Sequence, residues 1–272
     1  MRAPLFLISL ALSSAACSDG AEYAETADGA DPQSGDAQAL ASAGAIATAE
    51  ARSIAEETDR YDFAYSWPAE AAAEPKLSAY LETKAKGVRE ELKEESDEDW
   101  DAAQGQEWTP RQHSTSVEWK VVADIPGYLS LSRHLATYSG GAHGMYGVQS
   151  LVWDREAEKA MKGIELFTSP VALEQGIGQR LCDTLNKARE KRRGMEVEEG
   201  SDDIFDKCPG LDEASILIGS SNGRTFDRIS VYFGPYVAGA YAEGDYELDF
   251  DVTASVIDAV KPEYADAFSV RG

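Results

Sequence analysis

Apolar residues recur at helical spacing between Leu77 and Leu92, whereas most other apolar stretches of this chain alternate with period two. Leu77, Tyr80, Leu81, Val88 and Leu92 fall on one helical face. Before them, Tyr61, Phe63 and Tyr65 alternate with small or polar residues as in a half-buried strand, which Trp67-Pro68 stops. After them, Val117, Trp119, Val121 and Ala123 give a strand ending at Pro126-Gly127. Leu129, Leu131, Arg133 and Leu135 begin a second, broken at Gly140-Gly141, and Tyr146 to Trp153 makes a third. Asp154 to Lys162 reads as a polar connection.

Ser169-Pro170 then opens a helix, with proline at its first position. Leu173, Ile177, Leu181 and Leu185 stripe one side of it. Lys187, Arg189, Lys191, Arg192 and Arg193 crowd its far end, where cations favour the helix dipole. That reads as a helix-terminal charge pattern rather than a binding patch. Ser215–Gly219 and Thr225–Phe233 form two strands joined through Ser220-Ser-Asn-Gly223, a hairpin-type turn. Tyr246, Leu248, Phe250 and Val252 alternate as the last strand, and Thr253 can cap a short helix running to Val260. The fold class that follows is α+β, an antiparallel sheet packed against one long central helix and shorter helices.

The N-terminus is of another kind. Met1-Arg2, the apolar run Leu5–Leu12 and the small residues Ser13 to Ala16 read as a secretory signal over residues 1–16. Cys17 follows the cleavage point directly, which suggests the bacterial lipoprotein motif, with lipid attached at Cys17. Ser14 stands where that motif usually has leucine, and ordinary cleavage leaving a free cysteine is the alternative. Residues 18–58 hold almost no bulky apolar side chains and cannot offset the entropy of ordering. They read as an acidic tether reaching roughly 35 Å as a random coil. The expected organisation is therefore a signal over 1–16, a lipidated Cys17 and tether over 17–58, and an α+β domain over 59–272, divided into two subdomains meeting near 168.

Charge and cysteine usage bound the chemistry. The chain carries a formal charge of −24, and losing residues 1–16 removes only Arg2, giving −25. Such a charge disfavours nucleic acid and anionic membrane surfaces as partners, leaving contact with a membrane to the N-terminal lipid alone. Cys182 and Cys208 make an even pair once Cys17 carries lipid, and a disulfide is expected in an oxidising compartment; two buried thiols are the alternative. Cysteine spacing offers no zinc or thioredoxin-type site. The acidic run from Glu90 to Asp101 lacks a calcium-loop pattern and reads as a solvated helix end. His113, His134 and His143 have no motif partner, so no cofactor, metal site or catalytic residue is expected.

Tyr138-Ser-Gly-Gly-Ala-His-Gly144, with Leu129-Ser-Leu131 before it and Val152-Trp-Asp154 and Glu165-Leu-Phe167 after it, resembles a recurring extracytoplasmic module. Phe63-Ala-Tyr65-Ser-Trp-Pro68, Phe233-Gly-Pro-Tyr236 and Ala240-Tyr-Ala-Glu-Gly244 fit the same pattern over roughly residues 60–270. The module resembles the extracellular part of RsiV-type anti-sigma factors and the region ahead of the catalytic domain in PdaC-type peptidoglycan deacetylases. In the former it binds lysozyme; in the latter the chemistry belongs to a separate domain whose Asp/His motif is not found in this sequence, nor is a transmembrane or sigma-binding segment. The resemblance implies an envelope lipoprotein with a non-catalytic module for a lysozyme-type cationic protein or for peptidoglycan, periplasmic or otherwise extracytoplasmic. An envelope polysaccharide hydrolase or deacetylase-related enzyme with an unrecognised carboxylate site is the competing expectation. A ligand site, if built, is expected at Tyr138, His143, Tyr146 and Tyr236.

Overall fold

In the computed structural model, which describes residues 49–198 and 200–272, six strands make the first sheet and three the second. The first sheet runs in the order β1 (Arg52–Glu57), β2 (Tyr61–Trp67), β3 (His113–Ile125), β4 (Tyr128–Tyr138), β5 (Met145–Asp154) and β6 (Lys159–Met161). The α+β class stands. The pairings are antiparallel except between β2 and β3, which are parallel. The reason is the connection: a short helix α1 (Ala69–Ala72) and a 28-residue helix α2 (Pro75–Ala102) carry the chain back across the sheet. The longest helix is thus α2, near the start of the domain.

Helix α2 packs on one face of this sheet. Leu77, Leu81, Ala85 and Leu92 meet Phe63, Tyr65, Trp67, Val117, Trp119, Leu129, Leu131, Leu151 and Trp153 in one core. The pattern in β3 then changes phase. A bulge at Val122 shifts the register, pairing Val121 with Leu131 but Ala123 with Ser130. Val117 and Trp119 therefore enter the α2 core, whereas Ala123 and Ile125 enter a second core on the opposite face.

That second core is built largely from the C-terminal half. Strands β7 (Ser215–Gly219), β8 (Arg228–Phe233) and β9 (Tyr246–Asp251) form the antiparallel second sheet. Helices α3 (Pro170–Ile177), α4 (Arg180–Arg193) and α5 (Ala254–Ile257) close it. The Ser169 hydroxyl accepts a hydrogen bond from the Ala172 amide, capping α3 as its sequence suggests. The single helix expected over the Leu173–Leu185 stripe is instead two, because Gly178 takes φ 66° and ends α3. Leu173, Ile177, Leu181 and Leu185 still all enter one core.

Two strands depart from the sequence reading. β1 lies within residues 17–58, read as tether, and β6 lies within the Asp154–Lys162 segment, read as a connection. Both are short sheet-edge strands whose backbone pairs with one neighbour, and each sends a single large apolar side chain, Ile54 or Met161, toward a core. The signal over 1–16, Cys17 and the tether through residue 48 lie outside the described residues.

The Cys182–Cys208 disulfide is present, with Cα atoms 5.5 Å apart. Beside it, the basic cluster closes the last turn of α4 as its sequence suggests, and two of its members, Arg189 and Arg193, also tie the fold together. Arg189 is fully buried. Its guanidinium donates to the carbonyls of Ala238 (3.0 Å), Asp206 (3.1 Å) and Lys207 (2.8 Å), and to Asn186 Oδ1 (3.0 Å). Arg193 pairs with Asp206 and with Glu243 (2.9 Å). The acidic end of α2 is likewise engaged, Asp97 with Arg60 and Asp99 with His113.

Candidate binding surface

The turn between β4 and β5 carries His143, and the sequence around it leaves little conformational choice. Gly140 takes φ 84°. A Cβ on Gly144 would come within 2.6 Å of the Thr137 carbonyl oxygen, so only glycine lets the chain fold back there. His143 Nδ1 donates to the Gly144 carbonyl oxygen at 3.0 Å. The Tyr241 hydroxyl donates to that same oxygen at 2.7 Å. With its proton on Nδ1, His143 presents Nε2 as the acceptor facing the Tyr236 hydroxyl, 3.4 Å away.

Aromatic rings surround this histidine. Its imidazole stacks on Tyr241 with centroids 3.8 Å apart and planes 22° apart. Tyr236 lies 5.5 Å from Tyr241 and Tyr146 6.2 Å from it, the latter edge-on. Tyr146 and Tyr236 remain exposed. Four rings from three segments of chain thus meet at the surface.

Tyr236 is held there against its backbone preference. In Gly234-Pro235-Tyr236-Val237 the Val237 amide donates to the Gly234 carbonyl at 3.2 Å, closing a turn. Proline occupies the second position and Tyr236 the third, at φ 71°. A type II turn places glycine or asparagine at that third position. A bulky residue there costs about 1–2 kcal/mol, and such strain gathers at functional positions.

Beneath the rings, a cavity of about 270 Å³ opens between β5 and the second sheet, lined by Leu135, Met145, Tyr146, Tyr232 and Val237 among others. The buried Tyr232 hydroxyl makes no hydrogen bond. Burial, and then the nearby Asp245 carboxylate, push its phenol well above the usual range. Tyr232 therefore stays protonated beside the cavity, its hydroxyl near the Asp245 carboxylate.

Of the four residues expected at a ligand site, the structure gathers His143, Tyr146 and Tyr236. Tyr138 is engaged elsewhere, its hydroxyl accepting from Arg111 Nη1 at 2.8 Å. Tyr241, whose ring joins the other three, lies within the Ala240–Gly244 segment quoted for the resemblance, yet nothing local marks it as a contact to His143, far away in the chain; only folding places it. His134 sits apart on β4, 3.1 Å from the Ser132 hydroxyl, and burial lowers its pKa. Among the described residues, no three His, Cys, Asp or Glu side chains cluster as metal ligands do.

Residues 54–146 match the family model described as "Deacetylase PdaC". This stretch comprises β1 to β4, α2 and the His143 turn, and it contains the Phe63–Pro68 and Tyr138–Gly144 segments that carried the resemblance. Over those residues, about a third of its length, the chain is similar to that family. Among solved structures, it is similar to a DUF3298 family protein from Pseudomonas aeruginosa PAO1, at 15% identity and TM-score 0.43, covering 82% of this chain and 98% of that one. It is also similar to a DUF3298 family member from Bacteroides fragilis NCTC 9343, at 16% identity and TM-score 0.38, covering 74% and 90%. No curated protein matches.

Proposed function

We propose that this protein is a non-catalytic, extracytoplasmic binding module, tethered to the envelope through lipid on Cys17, whose aromatic surface binds cell-wall glycan. The observation that carries the reading is the exposed cluster of His143, Tyr146, Tyr236 and Tyr241, with Tyr236 in a backbone conformation that favours glycine. Flat rings presented at a surface suit the apolar faces of sugar rings, and nearby hydroxyl and imidazole groups suit their hydroxyls. The PdaC-type match over residues 54–146 supports an envelope setting.

The test is retention of the protein on insoluble peptidoglycan. The native protein is expected to be retained, and Tyr241→Ala, which removes the central ring, to lower retention at least tenfold. Equal retention of both would overturn the reading. Release of reducing ends or acetate from the glycan would favour the enzyme instead. A second reading, capture of a lysozyme-type cationic protein, draws support from the charge of −24. Lysozyme inhibition that survives moderately high salt would favour it over the glycan.

A further inference from the structure

A larger cleft lies away from the aromatic cluster, between α2 and strands β4 to β6, with a volume of about 830 Å³. That is the size of a small-molecule site, commonly about 300–1,000 Å³. From the cleft and its lining we infer a second binding site, for a carboxylate-bearing sugar. The inference deepens the glycan reading, but a separate set of residues carries it.

The helix contributes Tyr80, Lys84, Gly87 and Glu91, positions that share one face of α2. Opposite stand Arg133 on β4, Gln149 on β5 and Lys162 just past β6. Lys84, Arg133 and Lys162 have no carboxylate within ion-pair distance among the described residues, although acids outnumber bases 49 to 25 in the chain. Three cations therefore converge on one cleft of a strongly acidic protein.

The rest of the lining narrows the ligand. Tyr65 and Trp119 also border the cleft, joined by a 2.8 Å hydrogen bond from the indole N–H to the phenol oxygen. Tyr80 is exposed, with Lys84 Nζ 5.4 Å from its ring centre. A ring can lie against such a surface while its carboxylate meets a cation. Arg133 Nη1 donates to Gln149 Oε1 at 2.8 Å, which orients the Gln149 amide and leaves its N–H groups available. Glu91 and Glu165 are acceptors suited to sugar hydroxyls, and they would repel a polyanion such as phosphate. A fatty acid would leave the Gln149 amide N–H groups and the Glu91 carboxylate desolvated without partners. At Gly87 a Cβ would meet no atom within 4 Å, so protein packing does not explain a glycine inside a 28-residue helix.

Titration calorimetry on the full chain tests this, with N-acetylmuramic acid and glucuronic acid as acidic sugars. The comparison ligands are N-acetylglucosamine, inorganic phosphate and laurate. At least one acidic sugar is expected to bind saturably and at least tenfold tighter than the neutral sugar. Lys84→Gln with Arg133→Gln should weaken it tenfold or more. Lys86→Gln, a charge on the same helix outside the cleft lining, should leave it unchanged. If the double variant fails to fold, Gly87→Leu, which fills the cleft from the helix side, replaces it. Equal affinity for the neutral sugar, tighter binding of phosphate or laurate, indifference to both cleft variants, or no saturable binding of either acidic sugar overturns the inference. Peptidoglycan retention lost in Tyr241→Ala, with acidic-sugar binding kept, separates the two sites.

Discussion

Two residues are held in positions that their chemistry opposes, with different consequences. Arg189 is a buried cation whose pKa burial lowers, yet its guanidinium is satisfied by three backbone carbonyls and Asn186. It fastens the segment before Cys208 and the loop around Ala238 to α4. Tyr236 is the contrary case, since its strain is offset by no comparable set of contacts and its ring is 49% exposed. Tyr236→Gly is therefore expected to leave the midpoint of urea unfolding unchanged or raise it by up to about 1 kcal/mol in stability. The same substitution should lower retention on peptidoglycan. A fall in stability beyond about 1 kcal/mol would show that the ring supports the fold.

At the level of elements, α2 does two tasks through different faces. Leu77, Leu81, Ala85 and Leu92 hold the first core, while Tyr80, Lys84, Gly87 and Glu91 border the cleft. Because a Cβ at Gly87 meets nothing, Gly87→Ala should gain helix propensity without a steric cost, about 0.5–1 kcal/mol. A raised midpoint in urea unfolding checks this. Unchanged or lower stability would mean that the glycine answers a constraint within the fold itself. The break at Gly178 shows the opposite use of glycine, where φ 66° turns one apolar stripe into two helices that share a core.

Across the whole molecule, stability depends on carboxylates in three parts of the C-terminal half. Hydrogen bonds from Ser201 and then Arg193 hold Asp206 below its ordinary value of 3.8. For Glu243, burial pushes upward, but Tyr246 and Arg193 outweigh it and leave the carboxyl below 4.5. For buried Asp227, burial also pushes upward, and hydrogen bonds from the Ser221 hydroxyl and amide prevail. Each folded-state pKa is depressed, so the stabilisation is complete above the ordinary values and is lost as pH falls through the folded ones. Thermal midpoints should be flat with respect to these groups near neutrality and fall below about pH 4.5. Asp227→Asn should shrink the acid-dependent part, and an unaltered slope in that variant would remove Asp227 from the account.

Much of this architecture is legible from periodicity. Alternating residues announce β2, β3 and β9, and Ser169-Pro170 announces α3, because amphipathic spacing and capping are local properties of the chain. The Tyr138–Gly144 and Phe233–Tyr236 segments likewise contain His143 and Tyr236, and Tyr146 flanks the first. Tertiary structure alone decided the rest. β1 and β6 exist because a neighbouring strand supplies hydrogen-bond partners, which their own composition does not disclose. Arg189 reads as one cation of a helix-terminal cluster until the carbonyls of Asp206, Lys207 and Ala238 close around it. Tyr241 reaches His143, and Lys84 faces Arg133 across the cleft, only through the packing of distant segments. Local sequence determines which face of an element is apolar; which faces meet, and which polar groups they enclose, is a property of the folded whole.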